Sequence, residues 1–504
     1  MEKPLYQLIC ENIRGGVLPD DFSLPDENES GNGIRWAPGA MDGVSLYHAY
    51  PGAPDDAGME LMARALKAAA SGAYTEAERL FAEFSRDQRA VGAADSLQKY
   101  ILDHENELDA GHIYRTGFYL ACLSPHAECV KIGLELLELF SITEETDRNI
   151  IRRLALCDEF SLYAVWNMRH WDDGNRYIFE LAKKVHGWGR IHAVEYLEPE
   201  TEEIRHWLLT EGTVNDIEND YSALTCWQKS GAEQVLAGDP TGEEYKGLSV
   251  LIAGLISEGP VSGISGIENA EEILLRFLQI TPDHELTGAE YEVILSIREW
   301  ADDEDHPFPA VSAACGEILR SPACAAAVRS AVKEGNCLGL AQELDIPFRA
   351  ELFACMERDP DRYYYYIHYL TDDPVFFEKT LDLFREKLPL AEMGGDPVGD
   401  PGFGAKYRKY DQLQTVLQNL ADKPLTGTDL IAAGLRSPLS RNRIWALMCL
   451  RSWVQAKALP LADLSPELYA AVSALRPKEI SEDCLKIIAP LLSGRTTFPS
   501  PAGD

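Results

Sequence analysis

VKIGLELL (130–137), SLYAVWNM (161–168), RIHAVEYL (190–197) and DYSALTCW (220–227) are one short pattern written four times. Each copy has a small residue at the same place, Gly133, Ala164, Ala193 and Ala223, so the copies follow at 31, 29 and 30 residues. A near-constant period of about thirty residues marks stacked helical repeats, whose core extends unit by unit along the chain. With the small residue as zero, position +1 is Leu134, Val165, Val194 and Leu224, and position +4 is Leu137, Met168, Leu197 and Trp227. At about 100° per residue these rows share one helical face, the apolar stripe expected to be buried. The small residue within it lets a neighbouring helix approach closely. Second amphipathic segments lie between copies, at 150–156, 176–185 and 201–209. Two helices per thirty residues predict an all-α fold, an α-solenoid of helix pairs.

The opposite face supplies the candidate site. Position +2 reads Glu135, Trp166, Glu195 and Thr225. One turn to either side lie Glu128, Glu159, Trp188 and Glu218 at −5, and His170 and Lys229 at +6. These rows predict an acidic surface carrying two tryptophans and facing solvent or a ligand. Aromatic anchors inside a charged rim are also the composition of binding hot spots. The expected binding residues are therefore Glu128, Glu135, Glu159, Trp166, His170, Trp188 and Glu195.

Outward from the repeats, 504 residues exceed the size at which a single core normally stops growing. A charged fraction of 25% against 46% hydrophobic residues is that of a folded protein. The net charge of −36 argues against a surface that tracks DNA or RNA, which needs clustered Lys and Arg, and against anionic membranes. A protein or peptide partner would be neutral or basic. Eleven scattered cysteines without a C-x-x-C pair read as reduced thiols. With no apolar run long enough for a signal or a bilayer span, they predict a cytoplasmic protein.

Five segments follow. Residues 1–57 are rich in Gly and Pro and read as an irregular N-terminal arm lying on the first helices as a cap, in which Val44–Tyr47 has the alternation of a short strand. Residues 58–388 continue as helical repeats, clearest at 111–238. The stretch PLAEMGGDPVGDPGFGA (389–405) reads as a loop, 406–492 as returning helical repeats with Ala446 of RIWALMCL (443–450) in register, and 493–504 as a disordered tail. Ser124-Pro125 is expected to cap the helix that follows it, and Tyr363, Tyr366 and Leu370 to share a helical face.

Catalytic signatures are missing from the sequence. It has no phosphate-binding G-x-x-x-x-G-K-[ST], no G-x-S-x-G, no H-E-x-x-H and no strand-borne G-x-G-x-x-G. No cofactor or metal is expected from these motifs. The repeat core, through its small residue and its +1 and +4 rows, resembles short HEAT-type repeats of the phycobilisome-lyase-like kind. Over LAKKVHGWGRIHAVEYLEPETEEIRHWLLTEG (181–212), YSALTCWQKSGAE (221–233) and FREKLPL (384–390), the chain also looks like bacterial proteins labelled limonene hydroxylase. The first resemblance implies a scaffold or adaptor that binds a protein on its acidic face. The second implies monoterpene oxidation by an oxidoreductase, and a metal-dependent enzyme assembled from distant repeats is a further alternative.

Overall fold

The computed structural model describes residues 3–25, 36–49, 52–259, 261–303, 307–400 and 405–498. The chain forms two compact units, the first from Met1–Glu27, Trp36–Leu286 and Glu290–Leu319, the second chiefly Arg320–Asp504. Among the described residues both are helical, and the β structure is an isolated bridge between Arg14 and Val17. That bridge closes a turn through Gly15 and Gly16, at φ +60° and +86°. No helix among the described residues is long and apolar enough to cross a membrane.

The first unit opens with α1 (Leu5–Asn12) and α2 (Ala40–Tyr47). The pair α3 (Asp56–Ala70) and α4 (Tyr74–Phe84) turns at Gly72, whose φ of +79° favours glycine, and α5 (Ala90–Asp103) follows. Four helix pairs come next: α6 (Ala110–Leu123) with α7 (Ala127–Glu138), and α8 (Glu145–Ala155) with α9 (Asp158–Met168). The other two are α10 (Gly174–Ala182) with α11 (Trp188–Tyr196), and α12 (Glu202–Thr210) with α13 (Asp220–Ser230). The second helices also pack in succession, α7 on α9, α9 on α11 and α11 on α13.

The small-residue row explains this packing. Ala164, Ala193 and Ala223 are enclosed, and a Cβ on Gly133 would lie 2.8 Å from the Gly117 carbonyl oxygen of α6. The +1 and +4 rows are buried except for Leu224, which is half-buried. Asn167 Nδ2 donates to the Leu134 carbonyl at 2.9 Å and ties α9 to α7. Beyond α13, α14 (Ala232–Ala237) leads to α15 (Gly242–Ile256), which starts with a Thr241/Glu244 capping box and packs on α12 and α13. Cys129, Cys226 and Cys449 are buried thiols, and Cys122 is half-buried.

The N-terminal arm differs from expectation. Val44–Tyr47 is the last turn of α2 and not a strand. Ala40, Asp42 and Gly43 are buried while Leu46 stays outside, a helical spacing that fits the neighbours and overrides the local alternation. α1 does lie on the early helices, against α6 and α8. The cap of α7 falls on His126, whose N–H donates to Ser124 Oγ at 3.2 Å, so Ser124 shapes the approach to the helix and not its first turn.

In the second unit, Tyr364–Leu370 is a 3₁₀ helix. Its three-residue turn puts Tyr364, Ile367 and Leu370 on the buried face; of the expected Tyr363/Tyr366/Leu370 face, Tyr363 and Leu370 are buried and Tyr366 is left 38% exposed. The stretch 389–400 carries no helix but is docked, with Gly395 N–H on the Arg436 carbonyl and Val398 N–H on that of Pro438. The helix Ser440–Lys457 encloses Ala446 and Arg443, and Arg443 grips Glu479 at 2.7 and 2.8 Å. Within the arm, most of the polar stretch 23–33, namely residues 26–33, lies outside the described residues, as do residues 499–504 of the expected tail 493–504.

Candidate functional site

Of the acidic residues at −5, Glu218 is exposed, but Glu128 and Glu159 do not face solvent. Glu128 and Glu159 turn inward on Lys131, whose ammonium lies 2.9 Å from Glu128 Oε1 and 2.6 Å from Glu159 Oε1. A third carboxylate comes from the arm, where Asp42 Oδ2 of α2 sits 2.8 Å from the same nitrogen. Lys131 is fully enclosed, and Asp42 is 1% exposed. One ammonium therefore faces three carboxylates in a site closed to water.

Glu128 and Glu159 each have a second task. Glu128 accepts the Ala90 N–H at the start of α5 at 2.7 Å, and Glu159 accepts the Gly39 N–H at the start of α2 at 2.7 Å. An anion at a helix N-terminus complements the unsatisfied N–H groups there. Gly39 has φ +75°, and a Cβ on it would lie 2.7 Å from the Asp158 carbonyl oxygen. In α11 the −5 position is Trp188, 3% exposed, with Gly43 of α2 directly on its ring. A Cβ on Gly43 would fall 2.1 Å from Trp188 Cε3, so only glycine allows this approach. Farther along α2, Tyr47 Oη donates to Glu195 Oε2 at 2.7 Å, and His48 Nε2 meets Tyr221 Oη at 2.5 Å. Trp36, Tyr47, Ile217 and Tyr221 close around Ala40, Trp188 and Ile191.

Burial and charge set the protonation of the cluster. Burial pushes Asp42 from 3.8 up to about 6, against the pull of Lys131. Burial also opposes the charged form of Glu128, but the Lys131 ammonium and the Ala90 N–H outweigh it and hold Glu128 below the usual range. Lys131 is desolvated too, yet its three carboxylates raise it well above an ordinary lysine. Glu135 is enclosed, neither carboxyl oxygen has a hydrogen-bond partner, and burial followed by the neighbouring carboxylates raises it well above the usual carboxylate range. His192 is 1% exposed with neither ring nitrogen hydrogen-bonded, and burial lowers it to about 4, so it is a neutral ring near Tyr47 and Trp188.

The expected binding residues thus divide. Glu128, Glu159, Trp188 and Glu195 come together around α2, and the first three are enclosed or nearly so, a correction to their expected exposure. Glu135, expected outside, is buried because the elements around α7 cover its +2 position. Trp166 is half-buried with Nε1 donating to Tyr196 Oη at 2.9 Å, and His170 is exposed beside Glu138 at 3.4 Å. Neither touches the cluster through those contacts. Sequence reasoning missed Lys131, the centre of the site. The signal was present, since Lys131 stands at −2, about 40° from the +2 row, and is the one charged residue in a row otherwise Leu162, Ile191 and Tyr221. Asp42 and Tyr47 carried no such signal, because nothing local shows that α2 lands on α7, α9 and α11. No protein-family model matches this chain, and neither a curated protein nor a solved structure matches it.

Proposed function

We propose that this chain is a non-catalytic helical-repeat scaffold whose outward face binds a helix of a protein partner. The helix pairs from α6 to α13, with a period near thirty residues and successive packing of their second helices, support an α-solenoid of short HEAT-like units. The observation that carries the reading is that this face already holds a helix. Segment α2 is gripped by side chains spread over three repeats: Lys131 and Glu159 at its start, Trp188 at its middle and Glu195 at its end. Laying a helix into a groove and reading it at positions one turn apart is a recurrent mode of peptide recognition. In this reading α2 covers the face until a partner helix replaces it.

The test uses the full-length chain with Gly43→Leu, which drives a side chain into Trp188 and should release the arm. A labelled peptide of residues 36–49 is then titrated by fluorescence anisotropy. Saturable binding that restores hydrogen-exchange protection over residues 188–196 supports the proposal. If exchange shows the arm released and the peptide still fails to bind, the face is not a helix-binding surface.

A further inference from the structure

The contacts of α2 say more than that a helix fits. They describe which helix. Asp42, Gly43 and Tyr47 meet three different chemistries. The Asp42 carboxylate reaches an ammonium that is fully enclosed, Lys131. Gly43 lies flat on the Trp188 ring, where any Cβ would collide. The Tyr47 hydroxyl donates to Glu195, which is exposed at the edge of the site. Glu159, accepting the Gly39 N–H, holds the end of the helix that offers free N–H groups, and so fixes its direction.

Resting on the helix-binding reading above, we propose that the partner helix copies α2: a residue with a carboxyl or carboxamide side chain directly followed by glycine, with tyrosine four residues after that glycine, its N-terminus toward Glu159. The expectation from net charge alone was a neutral or basic partner. The site itself rejects a second cation at its centre and takes a carboxyl or carboxamide there, because Lys131 is the cation and a partner lysine would place two ammonium groups together in an enclosed site. The acidic surroundings do not contradict this. Glu128 is engaged with Ala90 and Lys131, and Glu159 with the helix N-terminus, so Asp42 meets the one group that can receive it. The arm and the partner then compete for one place, and the partner's apparent affinity falls by the fraction of chains whose face is open.

The experiment compares three peptides of residues 36–49, unaltered, with Asp42→Lys and with Gly43→Leu, on the full-length Gly43→Leu chain and on the unaltered full-length chain. The proposal expects the unaltered peptide to bind the Gly43→Leu chain at least tenfold more tightly than the unaltered chain. Each altered peptide should lose at least tenfold. Equal binding of all three would overturn the proposed specificity while leaving a helix-binding face in place. Binding of none, with the arm released, would overturn both. Should Gly43→Leu fail to fold, Asp42→Lys in the full-length chain serves as the second route to release, by setting an ammonium against Lys131. An arm that stays protected from exchange in a folded variant would show that these contacts do not hold it, and would also overturn the proposal.

Discussion

Replacing Asp42 by Asn should stabilise the docked arm at neutral pH, although it removes a carboxylate 2.8 Å from a buried ammonium. Removing one partner of a buried ion pair usually destabilises by about 3–5 kcal/mol, because the other charge is stranded. Lys131 is not stranded, since Glu128 and Glu159 remain at 2.9 and 2.6 Å. The substitution leaves one ammonium against two carboxylates in place of three. The magnitude follows from protonation. A carboxyl raised from 3.8 to about 6 on docking holds its proton more tightly in the folded state. Its ionised form is therefore disfavoured by docking, by about 3 kcal/mol once the pH is above 6. The sign is opposite to that of an ordinary salt-bridged carboxylate: the favourable contribution is full below pH 3.8 and is lost as the pH rises through about 6. Asn, which resembles the protonated acid, escapes the penalty. The gain of Asp42→Asn over the unaltered chain should grow from about 1 kcal/mol at pH 4.5 to about 3 kcal/mol at pH 7.5. Lys131, Glu128, Glu159, Glu135 and Tyr163, the other titratable groups that face Asp42, are common to both proteins. Native-state hydrogen exchange over residues 40–47, corrected for intrinsic rates, reads this as about a hundredfold difference in protection at the higher pH. A variant less protected than the unaltered chain at pH 7.5, or a difference that does not change with pH, would refute the reasoning.

His192 should behave in the opposite sense. Burial lowers it to about 4, so the unfolded chain takes up the proton first, and stability present above pH 6.5 is lost as the pH falls toward 4. Urea denaturation at pH 7 and pH 4 should show His192→Phe escaping about 3 kcal/mol of that loss. Ala193→Leu places a larger side chain where the helix packing has no room and should destabilise by about 1–3 kcal/mol, read as a lower urea midpoint. In the second unit, Arg443→Met leaves Glu479 without its buried guanidinium and should cost about 3–5 kcal/mol, most of which Glu479→Leu in the same chain should restore. A double-mutant cycle in urea checks that recovery.

Sequence alone determined the helical class and the inner faces of the repeat region. Period, small residue and apolar rows are local properties of a helix, and a helix with one apolar stripe must bury it. Gly133, Ala164, Ala193 and Ala223 are therefore where the pattern placed them, against neighbouring helices. The positions of Glu128, Glu159, Trp188 and Glu195 on a common outward face were equally legible. What covers that face was not. Residues 44–47 have a strand-like alternation in isolation, and only the contacts of Gly43 with Trp188 and of Asp42 with Lys131 make the helix that contains them the docked form. The same long-range contacts reverse the meaning of the acidic row. A carboxylate that looks solvated in sequence becomes, under α2, a buried acceptor for a helix N-terminus and a partner for an enclosed lysine. Helical periodicity says which residues share a side. Only tertiary structure decides what meets that side, because the meeting joins residues 89 to 148 positions apart, from Asp42 with Lys131 to Tyr47 with Glu195.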